Sequence, residues 1–243
     1  MNQDFGPEIR PLIVLPTYQE RENLEPVLDA IAAAQPKFHV LIVDDASPDG
    51  TGDLAEQRAK MDSRIHVLHR SRKEGLGFAY LAGFNWGLAD KLAYTHFFEM
   101  DADLSHDPTS LELLLRACLG ESDLAIGSRY VRGGKIVGWS RFRRLMSKGG
   151  GLYAKTVLDT SVQDMTSGFV CFRREALEKL LGEKIQAMGF GFQIEVKYRC
   201  EKLGLRIREC PITFVDRTRG QSKMSLSIFL EALILVWRLR FVG

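Results

Sequence analysis

Short apolar segments alternate with helical patterns through the first half of the chain, and this alternation constrains the fold more than any other feature of the sequence. The apolar runs are Leu12–Leu15, Val40–Val43, Ile65–Leu68, Phe97–Met100 and Leu124–Ile126. The helical patterns between them are Arg21–Ala34, Gly52–Met61, Phe78–Leu88 and Ser110–Leu119. Apolar strands that alternate with helices are typical of a parallel sheet covered by helices on both faces. The pattern predicts an α/β fold with a mostly parallel sheet.

The second half of the chain is less regular, and it contains no Pro-rich linker or internal repeat. A basic helical stretch is predicted at Trp139–Leu158, and Gly133–Gly138 before it is predicted to be a loop. The elements predicted after it are a strand at Phe169–Phe172, helices at Arg174–Leu181 and Phe192–Leu203, and a strand at Ile207–Phe214. A length of 243 residues suits one large α/β domain. We predict a single domain over residues 1–225, followed by an apolar helix over 226–243.

Charge and cysteine content limit the class of protein. The formal net charge is +2, which is too balanced for nucleic-acid binding by bulk electrostatics, so any anion site must be local. The four cysteines have neither disulfide-framework nor zinc-site spacing, and the polar N-terminal residues lack a secretory signal pattern. These features predict a reducing, cytoplasmic setting. The sequence contains no run of about 20 apolar residues, so it predicts no helix that spans a membrane.

Polar residues follow four of the predicted strands. They form the clusters Pro16–Glu20, Asp44–Asp45, Asp101–Asp103 and Gly127–Tyr130. In open α/β sheets, ligands bind beyond the carboxyl ends of the strands, so the four clusters predict one site at this edge. The first turn has no glycine, and Tyr80 replaces the third glycine after Gly75 and Gly77. A Rossmann fingerprint and a P-loop are therefore both excluded.

Asp101 and Asp103 are two residues apart, so their side chains point the same way from an extended chain. Mg²⁺ binds one or two protein carboxylates together with substrate phosphates, and such an ion neutralises a diphosphate leaving group. The pattern taken alone is also typical of solvated aspartates that cap a helix. Asp44 and Asp45 are likewise open to two interpretations, a base or ribose contact and turn formation.

Basic residues are clustered in two later segments. Arg143 and Ser147 are four residues apart in the basic helical stretch and therefore share a helix face, which would present a fork of donors and a hydroxyl to a phosphate. Arg217, Arg219 and Lys223 lie in a polar loop that could wrap an anion. Solvated surfaces remain the alternative interpretation for both segments.

Several segments, in this order along the chain, resemble the dolichol- or polyprenol-phosphate mannose synthases of glycosyltransferase family 2. They are Leu15–Glu20, Val43–Thr51, Met100–Pro108, Gly127–Tyr130, Thr166–Phe169 and Phe214–Lys223. The resemblance spans roughly Pro11–Ser225 and implies a GT-A fold. It further implies GDP-mannose as donor, a polyprenyl or dolichyl phosphate as acceptor, and an inverting reaction. One departure is Gln19, where the family usually has Asn, and we expect little effect from it.

The resemblance also implies roles for individual residues. Contacts with the nucleotide are implied for Pro16, Tyr18, Glu20, Val43 and Asp45. Asp101 and Asp103 would bind Mg²⁺ or Mn²⁺, with Ala102 behind the sugar nucleotide. Phosphates would be held by Arg129, Arg217 and Lys223, which with the two aspartates form the expected catalytic set. The acceptor phosphate would meet Arg129, Arg143 and Ser147.

Three other functions are compatible with the sequence. A polyprenyl-phosphate glucosyltransferase that uses UDP-glucose shares the same motifs. A non-catalytic protein that binds nucleotide-sugars is a second alternative, against which the intact Asp101 and Asp103 argue. A nucleotidyltransferase is a third, although it would normally carry a glycine-rich loop after the first strand.

The predicted helix over 226–243 is apolar on most sides, and near its end Trp237 is followed by Arg238 and Arg240. Glu231, Arg238 and Arg240 make it a poor spanning helix. A helix buried in the core is one interpretation, and a helix lying in the plane of a membrane surface is the other. We expect the second, with peripheral attachment to the cytoplasmic face of a membrane or docking to a small membrane-anchoring protein.

Overall fold

A computed structural model describes residues 8–187, 189, 191–216 and 234–241 of the chain. Its strands are β1 Pro11–Thr17, β2 His39–Asp44, β3 Ile65–His69, β4 His96–Glu99, β5 Leu124–Ser128, β6 Lys135–Val137, β7 Val170–Arg173, β8 Ile207–Pro211 and β9 Thr213–Val215. Its helices are α1 Arg21–Ala34, α2 Thr51–Met61, α3 Leu76–Ala89, α4 Leu111–Leu119, α5 Arg141–Leu158, α6 Arg174–Leu181 and α7 Phe192–Lys202. A further helix, α8, covers 234–241.

The main sheet has seven strands in the order β3-β2-β1-β4-β7-β5-β8. β1 lies parallel to β2 and β4, and its residues Leu12–Leu15 are completely buried. Alternate side chains of β1 join two hydrophobic clusters, with Leu12 and Val14 in one and Ile13 and Leu15 in the other. Because successive side chains of a strand point to opposite faces, the sheet is covered on both sides, as its continuous apolar strands predict.

Two glycines allow α3 to pack directly on β1. A Cβ atom at Gly83 would lie 2.4 Å from Val14 Cγ1, and one at Gly87 would lie 2.5 Å from Leu12 Cδ2. Both distances are too short for real contacts between carbon atoms, so any larger residue would push the helix away from the sheet.

Three details of the second half were not predicted from the sequence. β7 runs antiparallel between β4 and β5. The predicted strand Ile207–Phe214 is two strands, because the chain leaves the main sheet after Pro211 and β9 pairs instead with β6. β6 itself lies in the predicted loop Gly133–Gly138, whose terminal glycines have positive φ of 98° and 89° and so turn the chain at both ends of the strand.

The order of the strands reverses between β1 and β4, which are neighbours although β2 and β3 come between them in sequence. Such a switch point leaves a crevice at the carboxyl ends of the strands, because the connections on its two sides run in opposite directions. The clusters that follow β1, β2 and β4 all border this crevice.

Helix α8 is partly packed into the protein. Val236 and Leu239 are buried in the cluster that contains Leu12 and Val14, whereas Trp237 and Phe241 are exposed and stack on each other with ring centroids 5.6 Å apart. The helix thus has a core face and an exposed apolar face. None of the helices among the described residues is long and apolar enough to cross a membrane.

Stability should fall as the pH is lowered from 7 to 5, because buried histidines must take up protons. Burial, helped by Arg173, lowers the pKa of His96 to about 4. Burial also lowers the pKa of His39 and His66, whose ring nitrogens are 3.1 Å apart and each 3.1 Å from the Tyr94 hydroxyl. At these histidines the unfolded chain therefore binds more protons than the native state below about pH 6.5, so their contribution to stability falls towards pH 4. Glu99 contributes in the opposite direction, because burial raises its pKa to about 7.

For His96 alone, the free energy of unfolding should be lower by about 2 kcal/mol at pH 5, because this pH lies about 1.5 units below the ordinary pKa of histidine. Urea denaturation at pH 7, 6 and 5 measures the dependence. His96→Gln should flatten it, since a side chain that does not titrate removes this proton uptake. A slope that is unchanged in His96→Gln would contradict the assignment.

Candidate active site

The crevice at the switch point holds a cavity of about 480 Å³. Its lining comes from the loops after β1, β2, β3 and β4, from the segment before β7 and from the start of α7. The lining residues include Pro16, Thr17, Tyr18, Glu20, Asp45, Lys73, Asp101, Ala102, Asp103, Thr166, Gly168 and Gln193. The structure therefore brings together at one sheet edge most of the residues that the sequence predicts for the donor site.

Asp101 and Asp103 lie at the carboxyl end of β4 and are half-buried in the cavity wall. Neighbouring groups hold this segment in place. The Asp101 backbone N–H donates to His106 Nδ1 at 3.2 Å, and the Ser105 N–H donates to Asp103 Oδ1 at 3.1 Å. Burial lowers the pKa of His106 to about 4, so the neutral ring accepts from Asp101 at pH 7.

The oxygen groups here fit a hard divalent cation. Two carboxylates line the cavity, and the buried Ser105 hydroxyl beside them has no hydrogen-bond partner in the described part of the chain. Oxygen ligands suit Mg²⁺ and Mn²⁺. Within residues 8–187, 189, 191–216 and 234–241, no group of three or more His, Cys, Asp or Glu side chains is arranged to hold a metal. An ion here would need oxygens from a substrate as well.

The end of the cavity at β1 and β2 suits a nucleoside. Tyr18 presents its ring, with Lys73 Nζ 4.1 Å from the ring centroid. Asp45 accepts from Arg70 at 2.7 Å; burial raises the pKa of Asp45, and Arg70 offsets part of that rise. Glu20 accepts from Asn23 Nδ2 at 2.8 Å while lining the cavity. Neither Arg70 nor Lys73 was predicted from the sequence.

Val43 differs from the other residues expected to contact the nucleotide. Its side chain is completely buried, and its Cγ2 would lie 3.1 Å from a Cβ atom at Gly83. The side chain belongs to the core, so a nucleotide contact from Val43 would have to come from the main chain.

Arg129 and Asp164 form a buried ion pair beside the cavity. Arg129 Nε and Nη2 donate to the two carboxylate oxygens at 2.8 and 2.6 Å, and the Arg129 backbone N–H donates at 2.9 Å. Burial by itself would raise the pKa of Asp164, but the hydrogen bonds and charge of Arg129 hold it below its usual value. Arg129 Nη2 also donates to Thr166 Oγ1 at 2.7 Å, and Thr166 lines the cavity.

Aromatic residues connect this pair to α5. The guanidinium carbons of Arg129 and Arg143 lie 5.5 and 4.3 Å from the centroid of the Trp139 ring. Arg143 Nη1 also donates to Asp216 at 3.0 Å, and the Tyr130 hydroxyl donates to Ser147 Oγ at 2.8 Å. Arg129, Arg143 and Ser147 are therefore brought into one basic, aromatic cluster next to the cavity. Arg217, Arg219 and Lys223 lie outside the described residues.

Several lining residues were not predicted from the sequence, and for Lys73 and Gln193 the reason is that no local pattern marks them. Lys73 lies in an ordinary polar loop after β3, and Gln193 lies at the start of a helix far along the chain. Both reach the cavity only through the tertiary fold.

The chain matches the family model described as Glycosyl transferase family 2 over residues 12–181. It is 47% identical to an undecaprenyl-phosphate mannosyltransferase of Micrococcus luteus, over 95% of this chain and 93% of that protein. It is 46% identical to a polyprenol monophosphomannose synthase of Mycolicibacterium smegmatis, over 96% of this chain and 89% of the relative.

Among solved structures, the chain is similar to the mannosyltransferase PcManGT from Pyrobaculum calidifontis in complex with GDP-Man and Mn²⁺. The TM-score is 0.59 at 16% identity, over 96% of this chain and 70% of the other. At this identity the likeness shows a shared fold. It confirms the prediction of a GT-A-type, mostly parallel sheet flanked by helices.

Proposed function

Because the chain belongs to glycosyltransferase family 2, it is a hexosyl-transferring enzyme, and we propose that it moves mannose from GDP-mannose to a polyprenyl phosphate. One observation carries the proposal. The two bacterial relatives, matched over nearly the whole chain, are named for this transfer of mannose. The cavity supports it, since the Tyr18 ring and two carboxylates line one crevice, and a pair of arginines lies beside it.

In the proposed reaction, an oxygen of the acceptor phosphate attacks C1 of mannose, the bond from C1 to the diphosphate breaks, and the configuration at C1 inverts. A phosphate monoester has a second pKa of about 6, so it is mostly dianionic at neutral pH and no general base is needed to remove its proton. Asp164 does not act as a base in this scheme, because both of its carboxylate oxygens accept hydrogen bonds from Arg129. Its role is to fix the guanidinium.

The protein must hold two anions close together, which is the main electrostatic demand of the reaction. Mg²⁺ or Mn²⁺ bound by Asp101 and Asp103 would supply neutralisation of the leaving diphosphate. Arg129 and Arg143, in the cluster beside the cavity, offset the repulsion between the donor and acceptor phosphates. Arg217 and Lys223 would add positive charge to the same pair of phosphates.

A transfer assay tests the proposal directly. Purified protein is incubated with GDP-mannose or UDP-glucose, with Mg²⁺ or Mn²⁺, and with a short polyprenyl phosphate, and the glycolipid is identified by mass spectrometry. We expect mannolipid, with transfer from GDP-mannose exceeding that from UDP-glucose by at least about tenfold, or about 1.4 kcal/mol. Glucolipid as the main product would select the UDP-glucose alternative, and no glycolipid from either donor would reject both.

Arg143→Ala and Ser147→Ala should impair use of the acceptor selectively. We expect the KM for polyprenyl phosphate to rise by about tenfold (about 1.4 kcal/mol), because each variant removes a group from the cluster beside the donor cavity. Donor affinity, measured by calorimetry with GDP-mannose, should stay within about twofold. Arg141→Ala, on the same helix, is the matched control. Weaker GDP-mannose binding with an unchanged acceptor KM would reverse the proposed roles.

We also propose that the protein attaches to the cytoplasmic surface of a membrane through α8. Ile234, Trp237 and Phe241 are 70%, 48% and 76% exposed, and Arg238 and Arg240 flank them on the same helix. An apolar face next to basic side chains is typical of helices that lie at the interface of anionic bilayers. The preceding residues, 226–233, lie outside the described part of the chain. A small membrane-anchoring protein is the alternative occupant of this face.

Replacing the exposed apolar residues should release the protein from membranes without unfolding it. Deleting the whole tail would also remove Val236 and Leu239 from the core, so Trp237→Ser combined with Phe241→Ser is the cleaner change. We expect the fraction that floats with anionic liposomes to fall by at least half, since less apolar surface enters the interface.

Met61→Ser is the matched control for that experiment, because Met61 is 75% exposed on α2. If the Trp237 and Phe241 variant floats like the unchanged protein, α8 is not the anchor. The basic helix α5 would then be tested next, since Phe142 and Leu145 are 72% and 70% exposed.

A further inference from the structure

A network of buried polar groups lies beneath one end of the cavity, opposite the end at β1 and β2 that suits a nucleoside. Gln193, in the first turn of α7, lines the cavity and is 5% exposed. Its Nε2 donates to Glu99 Oε2 at 2.7 Å, and its Oε1 accepts from Lys197 Nζ at 2.8 Å. Glu99 and Lys197 have no exposed surface. Among the described residues of this network, Gln193 is the one that lines the cavity.

The two charged neighbours determine which way the Gln193 amide faces. The oxygen and nitrogen of an amide are otherwise hard to distinguish, and either orientation is normally possible. Here the carboxylate of Glu99 accepts and the ammonium of Lys197 only donates. Lys197 is itself held by the backbone oxygens of Ser167 and Gln193, at 2.6 and 3.2 Å. The nitrogen of the amide is thus directed to Glu99 and its oxygen to Lys197.

One N–H of Gln193 is left over by this arrangement. The amide nitrogen carries two hydrogens, and within the described residues it makes one hydrogen bond, to Glu99. This N–H lies at the cavity wall, so it can donate to an oxygen atom of a ligand in the cavity. Because the amide is already held in place, little side-chain entropy is lost on binding.

The position of the amide indicates which part of a donor it meets. A Cβ atom at Gly168 would lie 3.8 Å from Gln193 Nε2 and 3.7 Å from Asp101 Oδ2. Gly168 thus leaves open the space between the amide and the carboxylate. In the sheet, β4 and β7 carry this region, whereas the nucleoside end lies over β2 and β1. A nucleoside diphosphate hexose whose base lay over β1 and β2 and whose diphosphate met Asp101 would place its sugar in this space.

We propose that Gln193 donates a hydrogen bond to a hydroxyl of the donor hexose, and that Glu99 and Lys197 are positioning residues that fix its amide. The proposal rests on the proposed function, because it takes a nucleoside diphosphate hexose as the donor. It assigns to this chain a sugar contact outside the residues predicted from the sequence. It also explains why a carboxylate and an ammonium are buried here, although removing charged groups from water is energetically unfavourable.

The test compares affinities for GDP-mannose and for GDP, measured by calorimetry with Mn²⁺ and without acceptor. The ratio of the two affinities isolates the sugar. We expect Gln193→Met and Gln193→Glu to reduce this ratio at least fivefold while leaving GDP binding within about twofold. Both variants lack the N–H and approximate the shape of glutamine. Gln35→Met is the matched control, because Gln35 is also buried, at 7% exposure, but lies between α1 and β2 at the opposite sheet edge.

Lys197→Met tests the positioning role in the same assay. It should lower the same ratio by a smaller factor, since the amide stays in place but loses one of the two groups that orient it. Donors that lack one mannose hydroxyl then identify the contact. The analogue without the partner of Gln193 should bind equally well to the unchanged protein and to Gln193→Met.

The remaining outcomes separate this inference from the function on which it rests. If the unchanged protein binds neither GDP nor GDP-mannose, the proposed donor is wrong. If it binds both, and the ratio is unaltered in the folded Gln193 variants, the sugar contact is wrong although the donor stands. Equal loss of both affinities, or failure of both Gln193 variants to fold, would assign the network to holding α7 on β4 and overturn the proposal.

Discussion

Asp101→Asn and Asp103→Asn should each lower mannosyl transfer by at least about tenfold, which corresponds to more than about 1.4 kcal/mol of transition-state stabilisation. Both side chains line the cavity, beside a buried Ser105 hydroxyl that has no partner in the described part of the chain. Asparagine keeps the shape of aspartate but removes the negative charge that holds a divalent cation. The diphosphate would then leave without neutralisation.

The measurement is the initial rate of glycolipid formation at saturating GDP-mannose, with Mn²⁺ varied from absence to excess. Asp107→Asn is the control, because Asp107 belongs to the same segment but is exposed and caps a short helical turn through Oδ1, a role that asparagine also fills. Full activity of either cavity variant, or of the unchanged protein in excess EDTA, would exclude the metal assignment.

The sheet and the position of the site could be predicted because they depend on local periodicity. Apolar runs such as Leu12–Leu15 specify strands that are buried on both faces, and the polar residues that follow them must then meet at one edge. Asp45, Asp101 and Asp103 line the cavity as this pattern predicts. The apolar run Val40–Val43 likewise predicts a buried Val43, whereas the nucleotide contact expected of Val43 came from the resemblance alone.

The pairing of strands that are distant in sequence could not be predicted from local hydrophobic patterns. The strand predicted over Ile207–Phe214 looks continuous, yet the chain changes sheets after Pro211, and β9 finds its partner in a predicted loop. Gln193 and Lys197 look like any amphipathic helix positions until α7 is packed against β4. Gln19 has φ of 58°, a left-handed conformation that Asn tolerates better, which gives a physical reason for the residue usual in the family.

The pairing of Arg129 with Asp164 was also beyond the sequence, and it leads to the second large effect. Arg129→Met should lower the free energy of unfolding by about 3–5 kcal/mol, because it leaves the carboxylate of Asp164 buried without its partner. The two side chains are 7% and 0% exposed. Asp164→Asn should also be destabilising, since the guanidinium then keeps its charge but loses a charged acceptor.

Arg206 and Asp123 provide a matched pair at the surface. Arg206 Nε and Nη2 donate to the two oxygens of Asp123 at 3.0 and 2.9 Å, so the geometry is the same fork, but the Arg206 side chain is 57% exposed. Arg206→Met should therefore cause a much smaller loss in urea denaturation, because water solvates the carboxylate that remains. Equal losses for Arg129→Met and Arg206→Met would show that burial does not control the strength of the inner pair.

The double variant Arg129→Met with Asp164→Leu separates folding from catalysis. Replacing both partners with apolar groups removes the buried charges together, so part of the lost stability should return, although the Arg129 backbone N–H loses its acceptor on Asp164. Mannosyl transfer should nevertheless remain at least about tenfold below that of the unchanged protein, an effect of more than about 1.4 kcal/mol, if the guanidinium also offsets repulsion between the two phosphates. A double variant that is both stable and fully active would limit Arg129 to a structural role and leave Arg143, Arg217 and Lys223 to neutralise the acceptor phosphate.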